Sequence, residues 1–93
     1  MGEYIVIIKP TAEKDLKKHK KSGDKSVKRK IINILKELET QPYEGIGNPE
    51  RLRFGLRGYW SRRINKKDRL VYRVEEKTVT VYVVSAAGHY SDT

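Results

Sequence analysis

The chain has 93 residues and a mass of 10.8 kDa, which is the size of one small domain. Charged residues make up 35% of it, well above the typical quarter, so only a small core is possible. It has no cysteine, which excludes disulfide scaffolds, thiolate zinc sites and cysteine nucleophiles and suits a reducing cytoplasm. The longest apolar run, Ile5 to Ile8, is too short for a membrane span or a secretory signal. We therefore predict one cytoplasmic domain over residues 1–93.

Basic residues are concentrated in two segments of the chain. The net charge is +9 and the isoelectric point is near 9.9. Residues Lys14–Lys30 and Glu50–Arg73 each contain nine basic and two acidic side chains. Such concentration favours a polyanionic partner, above all a nucleic acid. A lysine-rich surface that serves solubility, or one that docks an acidic protein or a membrane, is the alternative interpretation.

The first half of the chain predicts a strand followed by two helices. The β-branched run Tyr4–Ile8 is typical of a strand that is buried on both faces, and Pro10 ends it. Thr11 is a possible cap for a first, partly exposed helix, which breaks at residues 22–24. Asp24 is the expected N-cap of a stronger helix that Pro42 terminates. Its apolar residues recur at helical spacing: Val27, Ile31, Ile34, Leu35 and Leu38.

The second half predicts an antiparallel meander after a loop rich in glycine and proline, Tyr43–Pro49. Alternating residues indicate three strands joined by two hairpins, with a further short strand possible at Leu52–Leu56. The three strands are Tyr59–Ile64, Arg69–Val74 and Thr78–Ser85. The order of elements predicts an α+β fold: an N-terminal strand, a two-helix hairpin and a meander, with the helices packed on one face.

Alternation also separates two faces of the predicted sheet. One face carries apolar side chains toward the helices: Trp60, Ile64, Leu70, Tyr72 and Val74. Arg63, Arg69 and Arg73 lie on the opposite face, whereas Arg62 shares the face of Trp60. Several guanidiniums on an open sheet face are suited to bind phosphate. Ordinary outward-pointing charge explains the same pattern equally well.

Few residues are candidates for chemistry. His19 lies among lysines of the weak first helix, where a solvated surface residue is the simpler interpretation. His89, followed by Tyr90, comes after the last strand, where it either contributes to a site or belongs to a fraying terminus. The sequence has no ligand cluster for a metal and no phosphate-binding glycine loop, so we predict neither a metal nor a cofactor.

Glu50 is the most unusual carboxylate because it stands at the start of the second basic segment. Neighbouring cations favour its charged form, which would make it available as a proton acceptor. A surface ion pair with Arg51 or Arg53 is the alternative.

Several motifs together resemble the Txe/YoeB family of bacterial toxins, which belong to the RelE-like toxins of toxin–antitoxin modules. The resemblance rests on four segments that cover roughly the C-terminal half of the chain: Pro42–Leu52, Gly58–Ile64, Asp68–Tyr72 and His89-Tyr90. It implies a ribosome-dependent endoribonuclease that cleaves mRNA in the ribosomal A site and needs no metal. It also implies a cognate antitoxin, together with which such toxins commonly bind operator DNA. A second copy of the chain, in a homodimer, is a further possible partner.

The resemblance assigns roles to individual residues. Glu50 falls on the general base and His89 on the residue that acts as acid or stabilises the transition state. Arg63 and Arg69 fall on phosphate-contacting arginines, and Tyr90 on a tyrosine that orients or stacks on the substrate. RNA-binding residues are expected at Arg53, Arg73, Lys17, Lys18, Lys20 and Lys21, the four lysines facing ribosomal RNA.

The chain departs from the family pattern in three places. Arg53 stands where relatives usually carry a lysine, and an arginine does not release its proton. Gly88 replaces a tyrosine, and residues 91–93 form a short extension beyond Tyr90. Two other functions stay open: a non-catalytic RNA- or DNA-binding module, and a structural protein that docks an acidic partner.

Overall fold

The computed structural model describes residues 3–53 and 58–88, which form one five-stranded sheet and two helices. The elements in chain order are β1 (Ile5–Ile8), α1 (Pro10–Ser22), α2 (Lys25–Leu38), β2 (Glu50–Arg51), β3 (Tyr59–Arg63), β4 (Arg69–Glu75) and β5 (Thr80–Ser85). This arrangement confirms the predicted α+β class with its N-terminal strand, helical hairpin and meander. Within the described residues, no helix is long and apolar enough to cross a membrane.

The sheet has the order β1-β5-β4-β3-β2. Strands β2 to β5 are antiparallel neighbours, whereas β1 is parallel to β5. The two helices supply the crossover that a parallel pairing requires. An irregularity between Val71 and Tyr72 shifts the register against β5. Because β2 and β1 close opposite edges, residues on β3 and β4 lie in the middle of the sheet.

The helices cover one face of this sheet and form the core with it. Asp24 caps α2 as predicted, since its Oδ1 accepts hydrogen bonds from the backbone N–H groups of Ser26 at 3.0 Å and Val27 at 3.1 Å. The predicted stripe of α2 is buried at Val27, Ile31, Ile34 and Leu38. From the sheet, the core takes alternate residues: Ile64, Leu70, Tyr72, Val81 and Val83.

The prediction that β1 is buried on both faces was wrong. Ile5 is 62% exposed, Ile7 41% and Ile8 40%, because β1 is an edge strand with a single neighbour. Ile5 and Ile7 also alternate onto the face that the helices leave uncovered. A continuous apolar run therefore does not distinguish a central strand from an edge strand.

Several element boundaries also differ from prediction: β3 ends at Arg63 rather than Ile64, and β5 begins at Thr80 rather than Thr78. Lys9 is the N-cap of α1, with Pro10 at its first turn, and the Thr11 hydroxyl instead donates to the Val84 carbonyl at 2.5 Å. Helix α2 ends at Leu38, before Pro42 is reached. A short strand lies at Glu50–Arg51. Of the predicted Leu52–Leu56 strand, only Leu52 and Arg53 are among the described residues; neither is in a strand, although the Leu52 N–H donates to the Tyr59 carbonyl at 3.0 Å.

Candidate functional site

The sheet face opposite the helices, here called the open face, brings together four of the predicted site residues: Glu50, Arg63, Arg69 and Arg73. Glu50 on β2 is paired with Ser61 on β3, and Arg63 on β3 is paired with Arg69 on β4. Arg73 lies on the same face of β4 as Arg69, four residues further along. The predicted division of the sheet into an apolar face and an arginine-bearing face is therefore confirmed.

Glu50 and Arg69 form the central contact of this face. The Arg69 Nη1 donates to Glu50 Oε1 at 2.9 Å and lies 3.4 Å from the Ser61 hydroxyl. The Glu50 side chain is 51% exposed and that of Arg69 is 18% exposed. Arg63 is exposed beside them. A reachable carboxylate next to two guanidiniums can accept a proton while the arginines hold an anion. The alternative pairing of Glu50 with Arg51 or Arg53 is not the one the structure forms.

A buried arginine on the helical side fixes the loop that leads to Glu50. Arg62 is fully buried, and its Nη1 donates to Glu37 Oε1 of α2 at 2.6 Å. Its Nη2 donates to the loop carbonyls of Gln41 at 2.5 Å and Glu44 at 2.9 Å. Its Nε donates to the Tyr72 hydroxyl at 3.2 Å. One guanidinium thus joins α2, the loop and the sheet.

Glycine is required where this loop passes over Arg62. Gly45 has φ +129°, and a Cβ there would lie 1.9 Å from Glu37 Oε1 and 3.0 Å from Arg62 Nη1. Gly47 has φ +82°, and its carbonyl accepts from the Arg63 N–H at 2.6 Å. Both positions combine a left-handed backbone with a close approach that any side chain would obstruct. The loop therefore delivers Glu50 to the edge of β3 in a fixed register.

Sequence reasoning gave Arg62 no role, although a signal was present. Alternation already placed Arg62 on the face of Trp60 and Ile64, and an arginine among core residues needs a partner. Glu37 is not part of the apolar stripe of α2, so that stripe does not indicate it as the partner of Arg62. Arg62 and Glu37 are the positioning residues that this interpretation missed.

Two tyrosines fasten the same loop to the sheet. The hydroxyls of Tyr4 and Tyr43 both donate to the carboxylate of Glu76, that of Tyr4 at 2.9 Å. The Tyr43 ring packs on Trp60 with 5.1 Å between the ring centroids. Burial, and then the hydrogen bond and charge of Glu76, raise the pKa of Tyr43. Both hydroxyls consequently stay protonated near neutral pH, as donation requires.

The chain just before His89 is anchored on both sides. Asp15 Oδ2 accepts from the Ala86 N–H at 3.0 Å, and His19 Nε2 lies 2.7 Å from the Ala86 carbonyl, to which it must donate. Gly88 donates its N–H to Asp68 Oδ1 at 2.9 Å and accepts from the Arg69 N–H at 3.1 Å. The interpretation of His19 as a solvated surface residue was therefore wrong, because its ring is half-buried and bonded to the C-terminal segment.

Asp68 stays ionised as part of this anchor. Burial by itself would raise the pKa of its carboxyl. The hydrogen bonds from Gly88 and Asn65, with the nearby charges of His19 and Lys67, outweigh burial and lower that pKa. Asp68 is thus held as a carboxylate between the turn that starts β4 and the segment that ends at Gly88.

The remaining predicted residues are divided among three regions. Arg73 is on the open face, but its Nη1 contacts Glu75 at 3.3 Å rather than Glu50. Arg53 is exposed just after β2. The four lysines are exposed on α1, in the helical layer across the sheet from Glu50: Lys17, Lys18, Lys20 and Lys21. His89, Tyr90 and the extension 91–93 lie outside the described residues.

Possible metal ligands are not clustered in the part of the chain that the structure describes. No group of three or more His, Cys, Asp or Glu side chains lies within reach of one ion there. The described groups of the candidate site are the Glu50 carboxylate, the Ser61 hydroxyl and the guanidiniums of Arg63 and Arg69.

Comparison with known proteins identifies the family. The model of the YoeB-like toxins of bacterial type II toxin–antitoxin systems matches residues 9–90, which is most of the chain. The chain belongs to this toxin family. The family resemblance seen in the sequence is thereby confirmed, and residues 9–90 include both helices and the whole meander.

Individual relatives agree with this family assignment. The YoeB toxin of Mycobacterium bovis is 42% identical over 69 residues, which cover 74% of this chain and 79% of that toxin. The solved YoeB dimer from Staphylococcus aureus has a TM-score of 0.78 at 37% identity, covering 95% of this chain and 99% of the other. A YoeB–YefM complex from Staphylococcus aureus has a TM-score of 0.75 at 36% identity, covering 94% and 98% of the two chains.

Proposed function

We propose that this toxin is a ribosome-dependent endoribonuclease that cleaves mRNA in the ribosomal A site and thereby inhibits translation. The observation that carries the proposal is the Glu50–Arg69 contact on the open face, with Arg63 beside it, in a chain of the YoeB-like family. A carboxylate that solvent reaches, next to paired guanidiniums, suits the cleavage of a phosphodiester. The net charge of +9 suits binding to RNA.

The proposed reaction uses the nucleophile that RNA itself carries. Glu50 removes the proton from a ribose 2′-hydroxyl, whose oxygen attacks the adjacent phosphorus. Arg63 and Arg69 stabilise the charge that develops on the phosphorane oxygens. His89 gives a proton to the departing 5′-oxygen, and Tyr90 orients the substrate. Because the 2′-oxygen is the attacking atom, no metal-activated water takes part in the proposed step.

Substrate binding would change the partner of Arg69. The guanidinium now donates one hydrogen bond to Glu50, whereas an entering phosphate can accept two parallel hydrogen bonds from it. When Arg69 turns to the phosphate, Glu50 is released to act as a base. Gly88 supports the role of His89, since Gly88 is bonded to the backbone of Arg69 and His89 is the next residue. The Arg53 departure leaves that position as a fixed positive charge.

The products follow from this chemistry. Attack by the 2′-oxygen leaves a 2′,3′-cyclic phosphate, or the 3′-phosphate formed when it opens, on the upstream fragment. The downstream fragment begins with a 5′-hydroxyl. A 5′-phosphate on the downstream fragment would contradict the proposal, because it requires that water attacks the phosphorus and the 3′-oxygen departs.

We also propose the partners of the toxin. The YoeB of Staphylococcus aureus has been solved with YefM and as a dimer, which supports a cognate antitoxin and a homodimer for this chain. Operator DNA would be bound only through the antitoxin complex. The exposed lysines of α1 would contact the phosphates of small-subunit ribosomal RNA in the cytoplasm, which positions the toxin without reading sequence.

A substitution of Glu50 by the uncharged side chain of the same shape tests the proposal. We expect Glu50→Gln to lower mRNA cleavage on purified ribosomes by about 10²- to 10⁴-fold, the usual contribution of a general base. Binding to ribosomes, measured by co-sedimentation, should be retained. Glu39→Gln is the matched control, because Glu39 is exposed at the end of α2 and away from the site. Unchanged cleavage by Glu50→Gln would favour a non-catalytic RNA-binding module instead.

A further inference from the structure

A transverse row of side chains crosses the open face beside the candidate site. The register pairs Ile7 of β1 with Tyr82 of β5, Tyr82 with Arg73 of β4, and Arg73 with Tyr59 of β3. We call Ile7, Tyr82, Arg73 and Tyr59 the aromatic row. Paired residues of neighbouring strands point to the same face, so two tyrosine rings flank one guanidinium on the face that carries Glu50.

The Tyr82 ring is the centre of this row. The Arg73 Cζ lies 5.0 Å from the ring centroid, and the Lys9 Nζ lies 5.5 Å from it. Both distances are within the range of cation–π attraction. Tyr82 and Tyr59 are half-buried, and Ile7 is 41% exposed. The row therefore presents aromatic and aliphatic surface together with the cations of Lys9 and Arg73, of which Arg73 is also paired with Glu75 at 3.3 Å.

The aromatic row lies on the same face as the candidate site, further along β4. Arg73 and Arg69 are four residues apart on that face, which corresponds to about 13 Å along the strand at the usual rise per residue. Ser61 and Val71, which lie between the two levels, are buried, so the two levels are related by this distance and not by exposed surface between them. A strand of RNA held by Arg69 at one phosphate could span the distance and place a nearby nucleotide at Tyr82.

We propose that the aromatic row is a second RNA subsite, which binds a nucleotide flanking the cleaved phosphodiester. Its base stacks on the Tyr82 ring in place of the Arg73 and Lys9 cations, which turn from the ring to its phosphate. This inference rests on the proposed function and extends its substrate contacts. A single-stranded nucleic acid matches both parts of the row, because bases stack on aromatic rings while phosphates bind cations. An acidic peptide would use only the cations.

The subsite would strengthen binding without selecting a base. Stacking on a tyrosine ring accepts every base, since each has an aromatic face. The subsite should therefore lower the Kd for mRNA-bearing ribosomes and leave the rate of the chemical step unchanged. The subsite therefore differs from Glu50: Glu50→Gln is expected to lower the rate of cleavage and to leave ribosome binding unchanged.

The experiment measures binding and cleavage separately. Binding is the Kd of fluorescent toxin for ribosomes carrying an mRNA with a 2′-deoxy nucleotide at the cleavage site. We expect Tyr82→Leu to raise this Kd about tenfold, the usual loss of one stacked base, with kcat on normal mRNA unchanged. Tyr82→Phe keeps the ring and should bind like the unchanged protein.

An abasic nucleotide identifies the group that Tyr82 contacts. Each position flanking the cleavage site is replaced in turn by a nucleotide that has no base. With the unchanged toxin, one such replacement should raise the Kd about tenfold, and with Tyr82→Leu the same replacement should have no effect. If the loss of affinity caused by Tyr82→Leu adds in full to the loss caused by the abasic replacement at every position, the inference is overturned.

The outcomes also separate this inference from the proposed function. If Glu50→Gln abolishes cleavage while Tyr82→Leu leaves the Kd unchanged, the subsite is wrong and the catalytic proposal stands. If the toxin cleaves no mRNA but the effect of an abasic nucleotide in the A-site codon depends on Tyr82, the row binds RNA and the catalytic proposal fails. If Tyr82→Leu weakens binding of a polyglutamate peptide and not of mRNA-bearing ribosomes, the row binds an acidic protein segment, and the inference is overturned. Each variant is first compared with the unchanged protein by thermal unfolding.

Discussion

Two arginine–glutamate pairs lie on opposite faces of the same sheet and are used in different ways. Arg62 and Glu37 form a contact of 2.6 Å on the helical side, and Arg69 and Glu50 form one of 2.9 Å on the open face. Arg62 is adjacent in sequence to Arg63, which is the cross-strand partner of Arg69. The two pairs are therefore close neighbours that consist of the same residue types.

Their surroundings determine what each pair can do. The Arg62 side chain is fully buried and donates from Nε, Nη1 and Nη2 to a side chain on α2, a tyrosine hydroxyl and loop carbonyls. The described side-chain bonds of Arg69 both come from Nη1, and its partner Glu50 is 51% exposed. A guanidinium whose donors are all engaged holds structure in place, whereas one beside an exposed carboxylate can exchange its partner for a substrate.

The largest expected effect is on stability, from breaking the buried pair. We expect Arg62→Met to lower the free energy of unfolding by about 3–5 kcal/mol, because it leaves Glu37 and the loop carbonyls without their donor. Urea unfolding at neutral pH measures this change. Arg63→Met is the matched control, since Arg63 is exposed on the same strand and should cost no more than about 0.5 kcal/mol. Equal effects of the two variants would contradict the contrast between the faces.

The exposed pair should respond in the opposite way. We expect Arg69→Gln to lower mRNA cleavage on ribosomes by about 10²- to 10³-fold, the usual cost of removing a donor that stabilises transition-state charge. Its free energy of unfolding should change by no more than about 1 kcal/mol, because an ion pair whose carboxylate is 51% exposed contributes little. Single-turnover cleavage and urea unfolding are measured on the same preparation. A stability loss as large as that of Arg62→Met would show that Arg69 is structural.

The division of the sheet into faces could be predicted from the sequence because side chains on a strand alternate strictly. That period placed Leu70 and Tyr72 in the core and Arg69 and Arg73 on the open face. The N-cap at Asp24 could also be predicted, because aspartate directly before a helical apolar stripe is a preferred N-cap residue. These features depend on local spacing, and local spacing is what a single sequence displays.

Features that depend on distant contacts were not predictable in this way. The edge position of β1 follows from which strand its neighbour is, and β5 lies more than seventy residues later in the chain. Likewise, His19 is adjacent to Ala86 only after α1 has packed on β5. The pairing of Glu50 with Arg69 rather than Arg51 or Arg53 also depends on the register of β2, β3 and β4. Residue type and spacing alone carry no information on such partners.

The smallest expected effect concerns Asp68, which has features of both pairs because it is buried and yet lies next to Arg69. Its pKa is lowered below the ordinary 3.8. Its carboxylate therefore stabilises the fold above about pH 4, and that contribution is lost as the pH falls through the folded pKa. We expect Asp68→Asn to cost about 1 kcal/mol at pH 7 and progressively less below pH 4.

Urea unfolding at a series of pH values between 2.5 and 7, about the range in which carboxyl groups titrate, measures this difference. Glu3→Gln, at an exposed carboxylate near β1, is the control and should shift the profile little. A constant difference between Asp68→Asn and the unchanged protein would mean that the charge of Asp68 contributes nothing. In that case the hydrogen bonds that Asp68 accepts from Gly88 and Asn65 would hold the segment before His89 without any contribution from charge. Lowering the pH would then not weaken the attachment of that segment.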